Sequence, residues 1–132
     1  MRRLEPLRRR QLRAVCTLLA IALVSACSPD RHAAARALTG GEPERGRELC
    51  RRYSCGSCHV IPGVSEDPGK LGPTLDGVAV RSKLGGQVAN TPDNMKQWIR
   101  DPHAMKRGSA MPKLGVTDDD ARDLAAYMYT LR

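Results

Sequence analysis

The chain has 132 residues, enough for one domain, and a formal net charge of +8. Six of its 22 basic residues precede position 14 with only Glu5 opposing them, so from Ser28 onward 16 Lys/Arg face 13 Asp/Glu, a balance of +3 that suits an acidic partner better than a phosphate backbone. One Trp, three Tyr and no Phe leave no stacking platform for bases, and a core this small needs something else large and apolar at its centre.

Arg2, Arg3, Arg8, Arg9, Arg10 and Arg13 precede an apolar run from Ala14 to Ala26. The run is too short to span a bilayer and reads as the core of a secretory signal, residues 1–26. It ends Leu23-Val24-Ser25-Ala26-Cys27, similar to a bacterial lipoprotein cleavage box, in which the cysteine takes lipid and becomes the new N-terminus. An ordinary signal peptide with a chance Cys27 is the alternative. The twin-arginine route is discounted because Gln11 fills that pattern's aromatic position. Residues 27–41 then read as the lipidated Cys27 and a flexible, Ala/Arg-rich tether without a periodic apolar face, with a reach of roughly 45 Å when extended.

The domain proper is expected over 42–132. Pro43, Gly46, Leu49, Cys50 and Tyr53 fall on one face of a short helix, with Pro43 in its first turn. Gly46 on that face predicts close approach by another helix. Residues 60–90 are rich in Gly and Pro without sustained alternation, which predicts loop rather than sheet. Thr91 caps a helix that carries Met95, Trp98 and Ile99 and ends before Pro102. Thr117 caps a last helix, with Asp118, Asp119 and Asp120 at its positive end. Ala121, Leu124, Ala125, Met128 and Leu131 form its buried stripe, flanked by Tyr127. The expectation is an all-α domain of three or four helices joined by long loops, and loops that long need a reason.

Tyr53-Ser54-Cys55-Gly56-Ser57-Cys58-His59 supplies one. Cys-x-x-Cys-His is the attachment signature for c-type haem. Two thiols at this spacing add across the porphyrin's two vinyl groups, and the following imidazole can bind iron. A redox Cys-x-x-Cys would want a thioredoxin-like βαβ pattern, which is absent. A zinc site would draw on Cys50, Cys55, Cys58 and His59, without a second cysteine pair downstream. A Cys55–Cys58 disulfide would be small and strained. One covalently bound haem also answers the shortage of aromatics and gives the loops something to wrap.

For a second iron ligand the candidates are His32, His103 and the methionines. His32 lies in the tether, His103 between a Pro-ended helix and a loop, and Met95 and Met128 on helix faces where methionine usually packs. Met111 sits in Arg107-Gly108-Ser109-Ala110-Met111-Pro112, an extended loop that can present a thioether, and it leads over His103 and Met105.

From about Gly41 to Arg132 the chain resembles the class I cytochrome c family. The segments that carry the resemblance are "CGSCH", "GPTLDGVAVR", "WIRDPHAMKRGSAMP" and "DLAAYMYTL". It implies the cytochrome c fold, an all-α fold around one haem. It also implies that the Pro73 carbonyl accepts a hydrogen bond from His59, that Arg81 approaches a haem propionate, that Trp98 lines the pocket and that Met111 is the axial partner of His59. Ser109 stands where the family often has a hydroxyl, and Leu124 and Tyr127 are expected against Gly46 and Leu49 or Cys50. The chain departs from the family at Ala110, often basic there, and at Cys50. Cys50 reads as a small buried hydrophobe, with an intermolecular disulfide or a regulatory thiol as alternatives.

A His59/Met111 pair leaves no open iron position, so the expected function is electron transfer rather than catalysis. The leading reading is a membrane-tethered carrier on the periplasmic side of a bacterial membrane. It would take electrons from a quinol-oxidising complex or dehydrogenase and deliver them towards a terminal oxidase. A fixed haem subunit of a dehydrogenase or oxidase complex, and a ligand-binding sensor or peroxidase-like protein, are the alternatives. Arg51, Arg52, Lys83, Lys106, Arg107 and Lys113 are candidates for a basic rim that steers an acidic partner. Ser28 after Cys27 leans to the outer membrane over the inner. No nucleic-acid partner is expected, and the domain reads as monomeric.

Overall fold

A computed structural model describes residues 30–65, 69 and 71–132. The expected signal peptide and Cys27 lie outside the described residues. The first element corrects the tether reading. Residues Arg31–Thr39 form helix α1, not an extended linker. The Asp30 carboxylate caps it by accepting from the His32 N–H (2.9 Å), and Gly40 closes it in the left-handed region at φ 70°. Its buried face consists of Ala35 and Thr39, one turn apart. Residues that small bury against a neighbour without producing the apolar stripe by which an amphipathic helix is recognised.

Helix α2 (Pro43–Arg52) starts on the expected proline and buries Pro43, Gly46, Leu49 and Cys50. Helix α3 (Pro92–Arg100) is capped by the Thr91 hydroxyl, which accepts from Asn94 N–H at 3.2 Å. It stops before Pro102, as the missing N–H of a proline dictates. Asp101 then caps a single turn, α4 (Pro102–Met105), through Ala104 N–H at 3.1 Å. Helix α5 (Asp118–Met128) is capped by Thr117, whose hydroxyl accepts from Asp120 N–H at 3.2 Å, and three aspartates occupy its first turn. Ala121, Leu124, Ala125, Met128 and Leu131 are buried as expected, and so are Asp120, Asp123, Ala126 and Tyr127. The burial on so many sides has one cause: α1, α2 and α3 all pack on α5.

At the α2–α5 crossing the backbones touch. A Cβ on Gly46 would overlap the Asp123 carbonyl and lie 2.9 Å from the Tyr127 Cβ. Charge fixes the same crossing. The Arg45 guanidinium pairs with Asp120 and Asp123, the Tyr53 hydroxyl donates to Asp120 Oδ2 at 2.7 Å, and Glu42 N–H donates to Asp123 Oδ1 at 2.8 Å. Two buried carboxylates are thereby paired rather than stranded.

Between α2 and α3 the described residues are mostly loop, with 3-10 turns at Cys55–Ser57 and Val78–Val80. They also hold one two-residue antiparallel hairpin, β1 (Lys83–Leu84) and β2 (Val88–Ala89), with Lys83 opposite Ala89 and Leu84 opposite Val88. Strands of two residues are too short to show alternation. Asn90 ties this region to the end of the chain. Its Nδ2 donates to the Val78 and Arg81 carbonyls (2.9 and 2.8 Å), and its Oδ1 accepts from the Tyr129 hydroxyl at 2.9 Å. Five helices and one small hairpin among the described residues make the chain all-α, as expected.

Candidate functional site

The Cys55–His59 segment follows directly from the end of α2. Tyr53 caps that helix, and Ser54 then turns the chain sharply at φ 55°, ψ 34°, alone among the described non-glycine residues in having positive φ. A residue with a Cβ pays for this conformation in strain, and the reversal lays Cys55 back over the last turn of α2. The turn is held by Ser57 N–H and Ser57 Oγ, both donating to the Ser54 carbonyl at 3.0 and 2.7 Å. Cys55 and Cys58 are half-buried free thiols.

Three backbone bonds tie the following loop to this segment: Gly69 N–H to Gly56 O (3.2 Å), Gly72 N–H to Cys58 O (2.8 Å) and Leu75 N–H to Val60 O (2.8 Å). They bring Pro73 beside His59, whose Nδ1 is 2.8 Å from the Pro73 carbonyl. A carbonyl only accepts, so Nδ1 carries the proton and Nε2 keeps a lone pair for a metal. The contact implied by the resemblance is therefore present. Gly72 lies on the ring itself, since a Cβ there would overlap the imidazole and sit 3.0 Å from Nε2.

Arg81 stands beside the Pro73 loop. Its Nη2 donates to the Thr74 and Asp76 carbonyls at 2.6 and 2.8 Å, so it braces the Pro73 loop. Trp98 is half-buried and packs on the hairpin turn, where a Cβ on Gly85 would strike its ring. Met111 is half-buried in the loop before α5, and its N–H donates to Ser109 Oγ at 3.3 Å. Met95 and Met128 are 3% and 5% exposed and belong to the core. His103 is exposed on α4, Met105 is half-buried, and His32 sits on α1 at 3.4 Å from Glu44.

A pairing that the sequence reading did not make positions the Met111 loop. Lys113 Nζ bonds Asp101 Oδ2 at 2.6 Å, and the same carboxylate caps α4. This pairing holds the Asp101 carboxyl below its usual range. An acid and a base twelve positions apart carry no spacing signature, and only the N-cap position of Asp101, just before Pro102, was available as a hint. Of the candidate rim, Arg51 is engaged by Glu48 (2.7 Å) and the Gly63 carbonyl (2.8 Å), and Lys106 by the Gly85 carbonyl (2.8 Å). A cleft of about 570 Å³ lies between α3, α4, α5 and the loop before α5, with the Asp101–Lys113 pair in its lining. Its Lys96, Arg100, Lys113 and Arg122 are each paired with an aspartate, so it presents no unbalanced charge.

The Cys50 thiol is fully buried, and Cys55 packs against the cluster that contains it. Interaction with Cys55 and burial push the Cys50 thiol up, and the same interaction draws Cys55 down. Among the described residues, no group of three or more His, Cys, Asp or Glu is arranged to hold a metal ion, so the zinc alternative lacks its ligand cluster.

The residues present fit a haem. The Cys55–His59 segment offers two reachable thiols and an imidazole with Nε2 free of the Pro73 bond, and Met111 in the loop before α5 offers a half-buried thioether. Half-buried Leu75 and Trp98 add incompletely covered apolar surface.

The sequence profile described as cytochrome c matches residues 43–132. The chain is similar to cytochrome c oxidase subunit 2 of Alkalihalophilus pseudofirmus, with 30% identity over 89 residues, 67% of this chain and 25% of that protein. It is similar to the subunit of the same name from Bacillus subtilis, with 28% identity over 95 residues, 67% of this chain and 26% of that protein. The subunit from Bacillus sp. (strain PS3) is 26% identical over 83 residues, 60% of this chain and 23% of that protein. The chain thus spans about a quarter of the length of these relatives.

Proposed function

This chain belongs to the cytochrome c family, and on that premise we propose that it is a membrane-tethered monohaem electron carrier delivering electrons to a terminal oxidase. The observation that carries the reading is the His59–Pro73 bond at 2.8 Å inside a Cys-x-x-Cys-His segment, because it commits the imidazole to one tautomer. When bound, the haem supplies reversible one-electron exchange at its iron. The protein does the rest. Cys55 and Cys58 hold the group as thioethers, so it is retained without a large core. His59 ligates through Nε2, oriented by Pro73 and stopped from tilting by Gly72. Met111 would supply a thioether ligand, and a soft thioether favours the reduced state and raises the potential. Trp98 and Leu75 keep water from the site, and Arg81 holds the Pro73 loop. With His59 and Met111 both bound, no position would be left open for substrate, which suits a carrier rather than a catalyst.

The test is a visible and near-infrared spectrum of the haem-loaded protein, oxidised and reduced, for wild type and Met111→Ala. The expected result is a low-spin spectrum with a sulfur-to-iron charge-transfer band that disappears in the variant. A high-spin wild-type spectrum would overturn the reading in favour of a ligand-binding or peroxidase-like protein. A band that survives the substitution would move the ligand to another methionine.

Tethering rests on Cys27 at the end of a signal-like run. Cys27→Ser is expected to shift the protein from the membrane to the soluble periplasmic fraction; retention on the membrane would remove the lipid anchor from the proposal. The inner and outer membranes are distinguished by the same fractionation.

A second reading, a fixed haem subunit, has its own support. The similar proteins are oxidase subunits by name, and Leu71, Val80 and Leu114 are 88%, 70% and 39% exposed. Apolar side chains so exposed suit a permanent neighbour. Co-purification of an oxidase that survives high salt would favour the fixed subunit; release by salt would favour the shuttle.

A further inference from the structure

Cys50 has no part in the function described above, yet it is the least expected residue in the site. It lies on the buried face of α2 with no exposed surface. The left-handed turn at Ser54 brings the 3-10 turn of Cys55 back onto that helix, and the side chain of Cys55 packs against the cluster that contains Cys50. The two thiols lie near enough to shift one another, Cys50 upward and Cys55 downward. Cys58, by contrast, lies next to the Ser57 hydroxyl at 3.8 Å. Three thiols therefore share one short stretch of chain, and the fold sets Cys55 beside Cys50.

We infer that Cys50 and Cys55 form a disulfide in the haem-free chain under oxidising conditions, and that this bond must be reduced before haem can be attached. The second half rests on the reading of Cys55 as an attachment thiol. The chemistry balances with a disulfide compound as the oxidant. The half-exposed Cys55 sulfur attacks the oxidant's disulfide, forming a mixed disulfide and releasing one thiol. Cys50 then attacks the Cys55 sulfur and releases the second thiol. One S–S bond forms in the chain and one breaks in the oxidant, which takes up two electrons and two protons. Thioether formation is a different kind of step, the addition of S–H across a vinyl double bond with no change in electron count. A sulfur already held in a disulfide has no hydrogen to add. The Cys50–Cys55 bond therefore blocks attachment at Cys55 until a dithiol reductant restores both thiols.

The sequence provides a direct assay. Arg51 and Arg52 separate Cys50 from Cys55, so trypsin places Cys50 in the peptide 48–51 and both Cys55 and Cys58 in the peptide 53–70. The full chain carrying Cys16→Ser and Cys27→Ser is produced without haem, equilibrated with glutathione disulfide, alkylated and digested. The two peptides are expected to be joined until reduction, with fragmentation placing the link on Cys55 and the alkyl group on Cys58. A bond within the peptide 53–70, a Cys50–Cys58 link, glutathione on Cys55 with Cys50 alkylated, or three alkylated thiols would each overturn the pairing.

The second arm offers reduced haem, with the attachment machinery, to the oxidised chain. Attachment is expected only after dithiothreitol in the parent chain, and without reductant in Cys50→Ala. Equal blockage in Cys50→Ala would show that Cys50 is not the gate. If the fully reduced chain never takes haem, the reading of Cys55 as an attachment thiol fails, and the peptide map still decides the disulfide.

Discussion

A methyl group on residue 72 has nowhere to go. It would overlap the His59 imidazole, the ring that Pro73 fixes at 2.8 Å. Gly72 is not among the glycines with positive φ, so alanine there meets a steric objection rather than a backbone one. Gly72→Ala is therefore expected to tilt His59 or lift the loop from Cys58, at a cost of about 1–3 kcal/mol. A denaturant titration of the haem-loaded protein measures the cost, and weakening of its low-spin spectrum reports the tilt. An unchanged midpoint with an unchanged spectrum would show that the loop yields freely. Residues of this kind divide by how far their partners lie along the chain. Cys55, Cys58 and His59 were legible because the motif is contiguous and its chemistry dictates the spacing. The Pro73 contact needed the family resemblance. The Lys113–Asp101 bond was invisible, because a pair twelve positions apart follows no helical or strand spacing. Cys50 was correctly placed on a buried helix face, but its neighbour was hidden by a left-handed serine that no rule assigns.

The same division holds for elements. Caps and proline stops placed α2, α3 and α5 from sequence because each signal is local: Pro43, Thr91, Pro102 and Thr117 act within one turn. Gly46 announced a close crossing, and Asp123 and Tyr127 supply it. Helix α1 was missed, although Asp30 and Gly40 flank it as N-cap and C-terminal glycine, because Ala35 and Thr39 bury too little to register as a stripe. The carboxylates of α5 were read as favouring its N-terminus, and the fold gives Asp120 a further task. Tyr53 and Arg45 both bond it, which holds its carboxyl below the ordinary value; the same bond raises the Tyr53 hydroxyl. A carboxyl lowered by folding stabilises the native state at pH values above about 4. That contribution falls away as the pH drops through the lowered value and Asp120 takes a proton. Asp120→Asn is expected to be less stable than wild type at neutral pH by about 1–3 kcal/mol. The gap should narrow as wild-type Asp120 titrates, which urea midpoints across the acid range will reveal. A gap that stays constant down to the acid transition would mean that the α2–α5 contact does not depend on this charge.

For the whole molecule, the question is what a chain with one Trp and no Phe uses as its centre. The buried cluster of the protein itself runs along α5 and reaches Leu49, Ile61, Val78, Leu84 and Met95. Leu75, Trp98 and Ile99 stop half-buried at its edge, and Met111 is equally half-covered in its loop. A haem held by Cys55, Cys58, His59 and Met111 would finish burying that edge, and covering one aliphatic or aromatic side chain completely contributes about 1.5–3 kcal/mol. The four are already half-buried, so the expected gain is on the order of 4 kcal/mol in total. Trp98 reports the event by itself, because it is the chain's single tryptophan. Haem accepts excitation energy from a nearby indole, so Trp98 emission should be quenched in the folded, haem-loaded protein and recover on unfolding. The haem-free chain should emit brightly in buffer and unfold at a lower denaturant midpoint. Equal emission from the two forms would place the haem away from Trp98. Equal midpoints would mean that the protein core stands without its cofactor, so the long loops would need another cause. The combination of quenching and a raised midpoint is specific, because a haem attached at the two cysteines but left hanging outside the fold would quench without stabilising.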